Sequence, residues 1–197
     1  MSDLKMHQPS MTIDEQKEGD CMTGVEVLLV TDVEEFAAMP KEEHLRYELI
    51  DGAVMMSPSP SFEHQQISGN VLALSKSRLK GQCLSVFEYD LKVDNLTLLK
   101  PDVSVYCKED KQVPEIVFEV LSPSTRQRDI MVKPAKYKAA GVKEYWIIDP
   151  VSRTVIVHSF VPEGTDEIDI YNIDNTIQSK VRPEFQVAVR EIFDEIA

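Results

Sequence analysis

Two apolar, β-branched runs that each contain one acid constrain this chain more than any other feature. The first is "DVSVY", which opens with Asp102, and the second is "EIVFEVLS", which has Glu119 at its centre. Both patterns are typical of buried strands. An ionised carboxylate in a buried strand is costly unless a positive charge pairs with it. If the two strands are neighbours, their carboxylates converge and one cation can compensate both.

Length and composition predict one domain with a sizeable core. The chain has 197 residues, of which 43% are hydrophobic and 28% are charged. We expect a flexible tail over residues 1–22 and a single domain over residues 23–197. No apolar run approaches the roughly 20 residues that span a bilayer, and the polar N-terminus lacks the apolar segment of a signal peptide.

The cysteines favour a cytoplasmic protein with reduced thiols. Cys21, Cys83 and Cys107 are too few and too scattered for a disulfide framework or a CxxC metal site.

The net charge of −13 lies mainly at the two ends of the sequence. Residues 1–50 hold 12 acids and 4 bases, residues 161–197 hold 9 acids and 3 bases, and residues 51–160 hold 13 acids and 14 bases. The overall charge argues against a polyanionic partner, but the one basic stretch, residues 122–146, directly follows Glu119. That stretch is either a solvated helix face or part of a binding site.

Local patterns predict a mixed α/β domain. The predicted elements, in chain order, are a strand over 25–30, a helix with a capping box at Thr31 and Glu34 that ends at Pro40, a hairpin around Asp51-Gly52, a helix over 61–80, strands in "CLSVFEYDLKV", "DVSVYC" and "EIVFEVLS", a helix over 129–140 that ends at Gly141, a strand pair around Asp149-Pro150, and a final hairpin and helix. One helix per face of the sheet gives a layered α/β fold with a mixed sheet and extra hairpins.

The two strand acids suit a divalent metal site. Mg²⁺ takes oxygen ligands and accepts one or two carboxylates together with waters, so Asp102, Glu119 and the backbone carbonyl of Val120 are candidate ligands. The alternative is that each acid lies at a strand end and reaches solvent.

The segment "SPSTRQR" has the composition of an anion-binding turn. Ser124 and Thr125 are short donors before a predicted helix N-terminus, and Arg126 and Arg128 are candidates to bind phosphate oxygens. The alternative is that Ser124 or Thr125 only caps the turn.

Several short motifs in a fixed order resemble one known family. The motifs "RYELIDGAVMMSPSPSFEHQQI" and "PDVSVY…VFEVLSPSTRQRD…K…Y…AGVKEYWIIDP" are similar to those of the bacterial Uma-type predicted endonucleases, within the PD-(D/E)XK, restriction-endonuclease-like superfamily. The resemblance covers roughly residues 31–160. It implies a restriction-endonuclease-like fold and metal-dependent hydrolysis of DNA.

The resemblance also implies roles for individual residues. Asp102 and Glu119 would bind the metal, and Glu48 would be a further acid of the site. The superfamily's lysine two residues after the glutamate is replaced here by Leu121. The family that it resembles also lacks the strand lysine, and a lysine on a helix, four residues after the "RD" motif, has its role. In this chain that lysine is Lys133.

Lys136 and His64 are two further candidates for the site. Pro134 follows Lys133 and suits only the first turn of a helix, so the helix should begin near Lys133, and Lys136 is the alternative lysine. The family resembled shows a histidine where this chain has His64. A lone histidine on a helix is otherwise a surface or packing residue.

The sequence therefore predicts an endonuclease that uses Mg²⁺ or Mn²⁺ to hydrolyse DNA. A catalytically silent binding or regulatory protein on the same fold and a hydrolase of small phosphorylated ligands are the alternatives. A homodimer is expected by similarity with nucleases that pair to cut two strands.

Overall fold

The described part of the chain contains five helices and thirteen strands. In the computed structural model, residues 27–107, 112–161 and 165–195 are described, with side chains from residue 31 onward. The elements are β1 (Val27–Val30), α1 (Val33–Ala38), β2 (Leu45–Ile50), β3 (Ala53–Pro58), α2 (Phe62–Arg78), β4 (Leu84–Phe87), β5 (Leu91–Lys92), β6 (Leu98–Leu99), β7 (Val103–Tyr106), β8 (Ile116–Val120), α3 (Arg126–Met131), α4 (Lys133–Ala140), β9 (Glu144–Asp149), β10 (Thr154–Ser159), β11 (Glu167–Tyr171), β12 (Thr176–Gln178), β13 (Gln186–Ala188) and α5 (Val189–Ile192). The predicted tail over residues 1–22 lies outside the described residues. Within the three described ranges, no helix has both the length and the apolarity to cross a membrane.

The large sheet is mixed, as predicted. Its strand order is β11-β10-β9-β8-β7-β4, and every pair is antiparallel except β8 with β9. Parallel neighbours need a crossover between them, and α3 and α4 form that crossover. The acid-bearing strands β7 and β8 are direct neighbours, with Val103 opposite Phe118.

A helix packs on each face of the large sheet, α2 with 17 residues on one face and α4 with eight on the other. Phe118 and Trp146 belong to the cluster that contains Ile67 of α2. Their strand neighbours Val117 and Tyr145 belong to the cluster that contains Tyr137 of α4. Because side chains alternate along a strand, Glu119 faces the same side as Val117, toward α4.

A second, antiparallel sheet lies beside the site. Its order is β1-β3-β2-β6-β5. The hairpin between β2 and β3 is the predicted one. Asp51 and Gly52 have φ values of 51° and 78°, the left-handed pair that a tight hairpin turn requires.

The predicted strand "CLSVFEYDLKV" is wrong in one respect, since it forms two strands in different sheets. Glu88 has a φ of 47° between β4 and β5, and the chain leaves the large sheet there for the small one.

The helix expected over 129–140 is also two helices, α3 and α4, which meet at Val132. Pro134 lies in the first turn of α4, where a missing N–H is harmless.

Some helices and strands near the two ends of the described chain differ from the predicted ones. The N-cap of α1 is Asp32 and not Thr31, because Asp32 Oδ1 accepts the N–H groups of Glu34 and Glu35 at 2.9 Å each. Near the C-terminus, β11 extends the large sheet, β12 and β13 form the hairpin, and α5 has only four residues.

Cys83 and Cys107 form a disulfide bond, so the prediction of reduced thiols is wrong for this pair. Leu84 of β4 is opposite Tyr106 of β7, and this register brings the cysteine before β4 opposite the cysteine after β7. The bond ties β4, at the end of the described order of the large sheet, to its neighbour β7.

Candidate active site

A cleft of about 620 Å³ opens where the two sheets meet the start of α2. Two serine- and proline-rich segments form its walls, one after β3 and one after β8. The lining residues are Arg46, Glu48, Ser57, Pro58, Ser59, Pro60, Ser61, Glu63, His64, Asp102, Glu119, Val120, Leu121, Ser122, Pro123, Ser124, Thr125, Asp129, Lys133, Pro150 and Val151. All four residues predicted to be catalytic are among them.

Asp102 lies immediately before β7 and is 1% exposed. Its Oδ1 accepts a hydrogen bond from Arg46 Nη1 at 2.8 Å. Its Oδ2 accepts the N–H of Val120 at 2.8 Å and lies 3.1 Å from His64 Nε2. Burial raises the pKa of this carboxyl, but His64, Arg46 and the Val120 N–H outweigh burial and hold the pKa well below its usual value. Asp102 is therefore ionised and well compensated.

Glu119 is buried on β8 and is less well compensated. A single oxygen, Oε1, accepts both Lys133 Nζ at 2.6 Å and the Tyr137 hydroxyl at 2.5 Å. Burial raises the pKa of Glu119, Lys133 lowers it, and the neighbouring acids Asp102 and Asp129 raise it further, so the pKa is well above its usual value. Among the described residues, no group hydrogen-bonds the second oxygen, Oε2.

Lys133, the first residue of α4, carries the central positive charge. Its Nζ lies 2.6 Å from Glu119 Oε1, 2.9 Å from Glu48 Oε1 and 3.0 Å from Asp129 Oδ1. Burial alone would lower the pKa of this ammonium, but the surrounding acids raise it above its usual value. The alternative lysine, Lys136, instead pairs with Asp51 Oδ1 at 2.5 Å and does not line the cleft.

Glu48 joins the small sheet to this cluster. It lies on β2, and its Oε1 also accepts the N–H of Lys100 at 3.1 Å, while its Oε2 lies 3.3 Å from Arg128 Nη2. Burial raises the pKa of Glu48, but Lys133 and Arg128 outweigh burial and lower it.

The residues predicted to bind phosphate are not all in one place. Ser124 and Thr125 line the cleft, and both hydroxyls lie within hydrogen-bond distance of Ser122 Oγ, at 3.1 and 2.9 Å. Arg126 donates to Asp149 at 3.0 Å, and Arg128 is buried against Glu48, so neither arginine lines the cleft. Their role in phosphate binding stays a prediction.

Three residues of the cluster were missed as site residues. Asp129 and Tyr137 lie four residues before and after Lys133, the spacing that aligns side chains on one helical face. This spacing is visible in the sequence and could have identified both residues, although the pattern around Tyr137 predicts only a core residue. Arg46 is two residues before Glu48 on β2, so the two share a face of that strand. No sequence signal links Arg46 to Asp102, because they belong to different sheets.

The site contains more acidic than cationic side chains. Four acidic side chains (Glu48, Asp102, Glu119 and Asp129) lie against three cationic ones (Arg46, Arg128 and Lys133) and the imidazole of His64. Within the described ranges, no three histidine, cysteine or acidic side chains are grouped so that they could hold a metal ion by themselves.

A two-carboxylate donor set is nevertheless present. The free oxygen of Glu119, the carboxylate of Asp102 and the backbone of Val120 adjoin the same cleft. Hard divalent ions commonly bind to two carboxylates and complete their shell with carbonyl and water oxygens. The donor chemistry and the surplus of acidic side chains both fit such an ion.

Comparisons with known proteins agree with this architecture. Residues 33–190 match the Uma2 family, whose description is "Putative restriction endonuclease". The crystal structure of a "putative nuclease belonging to DUF820" from Anabaena variabilis is similar, with a TM-score of 0.68 and 21% sequence identity over 82% of this chain and 97% of that chain. No protein with a curated description matches the chain.

At this identity the structural likeness shows the shared, nuclease-like α/β fold, and the sequence match supplies the family. Since that match spans most of the chain and its description supports a nuclease-like function, the protein belongs to the Uma2 family of restriction-endonuclease-like proteins.

Proposed function

We propose that the protein is an endonuclease that hydrolyses DNA phosphodiester bonds with the help of Mg²⁺ or Mn²⁺. The observation that carries this proposal is the contact between Lys133 Nζ and Glu119 Oε1 at 2.6 Å. Leu121 stands where a strand lysine would be expected, yet a lysine from the crossover helix reaches the same carboxylate. The cleft thus combines acids and one ammonium, the groups that phosphodiester hydrolysis requires.

Asp102, Glu119 and the carbonyl of Val120 would hold the divalent ion. When bound, such an ion neutralises charge on the phosphate and lowers the pKa of a coordinated water. The carboxylates of Asp102 and Glu119 are already fixed by neighbours, so they need little reordering.

Lys133 would stabilise the negative charge that develops on the phosphate. Its ammonium is held by three acids, and its raised pKa keeps it charged throughout the neutral range. A fixed positive charge in a buried site acts strongly because little water screens it. Glu48 and Asp129 would hold the ammonium in position.

The test is cleavage of plasmid and single-stranded DNA with Mg²⁺ or Mn²⁺. We expect Asp102→Ala, Glu119→Ala and Lys133→Met each to lower the cleavage rate by about 100-fold or more. Lys138→Met is the matched control, because Lys138 lies on the same helix but pairs with Asp166 at the surface. Equal cleavage by the wild type and both acid variants would indicate a contaminating nuclease and refute the proposal.

A catalytically silent binding or regulatory protein is the second candidate. It is favoured by the complete pairing of Asp102, whose two oxygens are both bonded by the chain itself, and by the net charge of −13. Isothermal titration with Mn²⁺ separates the two candidates. Absence of Mn²⁺ binding, or binding that Glu119→Gln does not weaken, would favour the silent protein.

A homodimer would suit cleavage of both strands of a duplex. Sedimentation of the purified protein tests this part of the proposal, and a monomer at all concentrations would refute it.

A further inference from the structure

Among the described arginine and lysine side chains that line the cleft, Arg46 is the one that contacts Asp102. Its Nη1 donates to Asp102 Oδ1 at 2.8 Å, and its Nη2 donates to the carbonyl of Lys100 at 3.1 Å. The side chain is 20% exposed, whereas that of Lys133 is 3% exposed. Arg46 therefore reaches solvent at the cleft, while Lys133 is buried.

The position of Arg46 depends on whether another cation compensates the carboxylate of Asp102. In the protein alone, the guanidinium supplies Asp102 with the positive charge that its burial requires. A divalent ion on Asp102 would place two further positive charges beside the guanidinium that already compensates this carboxylate. A guanidinium and a divalent ion on the same carboxylate repel each other strongly in a poorly solvated site.

A second acceptor lies close enough to receive Arg46 when it leaves Asp102. Glu88 Oε1 lies 4.0 Å from Arg46 Nη2, and Glu88 lies between β4 and β5. A phosphodiester in the cleft would be a better acceptor, because guanidinium binds two phosphate oxygens at once.

We propose that Arg46 is a substrate-binding residue that exchanges partners, from Asp102 in the protein alone to a phosphodiester group once a divalent ion binds. This inference rests on the metal-dependent function proposed above. It assigns Arg46 to the nucleic acid backbone, and it couples binding of the ion to binding of DNA.

The coupling gives a test that does not depend on cleavage. Binding of a labelled single-stranded oligonucleotide is measured by fluorescence anisotropy in EDTA and in Ca²⁺, which takes oxygen ligands as Mg²⁺ does. We expect Arg46→Gln to bind about tenfold more weakly than the wild type in Ca²⁺ and equally in EDTA, because the arginine is released to phosphate only when the ion is present. Isothermal titration should show Mn²⁺ binding about threefold or more tighter in Arg46→Gln, since its competitor is gone.

Two further variants control for folding and for general charge effects. Arg46→Lys keeps the positive charge but loses the planar guanidinium that can form bidentate hydrogen bonds to phosphate. Its DNA affinity in Ca²⁺ should therefore lie between those of the wild type and Arg46→Gln. Arg182→Gln breaks a comparable pair with a buried acid, Glu115, at 2.6 Å, outside the cleft. It should change neither Mn²⁺ binding nor the coupling.

The outcomes separate this inference from the proposed function. An equal loss of DNA affinity in EDTA and Ca²⁺, no loss in either, or unchanged Mn²⁺ affinity in Arg46→Gln would overturn the exchange, even if the wild type cleaves DNA. Coupled binding in a protein that never cleaves DNA would support the exchange and refute the nuclease activity.

Discussion

At the scale of single residues, Glu119 and Glu48 share Lys133 but differ in how well their charges are compensated. Glu48 receives two cations and a backbone N–H. Glu119 receives one ammonium and one hydroxyl on the same oxygen, with other acids nearby. Because Glu119 is buried with only one cation beside it, its ionised carboxylate is a source of instability.

This difference predicts a stabilising substitution at a proposed metal ligand. The folded-state pKa of Glu119 is raised, so the unfolded chain loses that proton first as pH increases, and the stability contributed by protonated Glu119 falls above the usual glutamate pKa. We expect Glu119→Gln to increase the free energy of unfolding at pH 8 by on the order of 1 kcal/mol, with the gain vanishing toward pH 4. Urea unfolding across this pH range measures it without a metal ion.

Glu48→Gln is the matched control with the opposite sign. Because the pKa of Glu48 is lowered in the folded state, its carboxylate stabilises the fold above the usual glutamate pKa, and this contribution is lost as pH falls. Glu48→Gln should therefore destabilise the protein at pH 8 and less so at pH 4. If both variants are destabilised equally at pH 8, the two acids are equally compensated and the distinction fails.

At the scale of elements, the end of α4 depends on one backbone conformation. Gly141 has a φ of 89°, in the left-handed region, and its N–H bonds to the carbonyl of Lys138 at 3.0 Å. A Cβ there would lie 3.8 Å from Val113 Cγ1, an ordinary contact, so the cost of a side chain comes from the backbone alone. We expect Gly141→Ala to lower the free energy of unfolding by about 1–2 kcal/mol, as measured by chemical denaturation.

Gly69→Ala is the natural comparison for that change. Gly69 is exposed within α2, and a Cβ there would meet nothing within 4 Å. Alanine in a helix interior is favoured over glycine by about 0.5–1 kcal/mol, so Gly69→Ala should stabilise the protein. A destabilising Gly69→Ala of the same size as Gly141→Ala would mean that backbone conformation does not explain either effect.

Elements with local signals could be predicted from the sequence. The Asp51-Gly52 hairpin, the helix start near Pro134 and the helix end at Gly141 each follow from the conformational limits of one or two residues. The break at Glu88 could not be predicted in this way. It divides a stretch predicted as one strand, and each half is placed by its pairing with a later strand, β4 with β7 and β5 with β6.

At the scale of the whole molecule, the candidate site was predictable where one sheet forms it. Asp102 directly precedes β7, and Glu119 lies within β8, the next strand in the chain. Their proximity follows because β7 and β8 pair. Glu48 and Lys133 came only from the resemblance to a known family. Arg46 could not be found, because its contact with Asp102 spans 56 residues and joins two sheets.

The last prediction concerns the bond that fixes the edge of the large sheet. Cys83 and Cys107 are 24 residues apart in sequence, and the chain between them contains β4, both short strands of the small sheet and Asp102. A cross-link of this kind stabilises mainly by restricting the unfolded chain, typically by about 2–4 kcal/mol. We expect the wild type to lose this amount in reductant, and the Cys83→Ser/Cys107→Ser variant to show the same loss without responding to reductant. Cys21→Ser, which retains the pair, should respond to reductant as the wild type does. A wild type whose free energy of unfolding is the same with and without reductant would show that the bond does not hold this edge strand, and that the β4–β7 hydrogen bonds suffice.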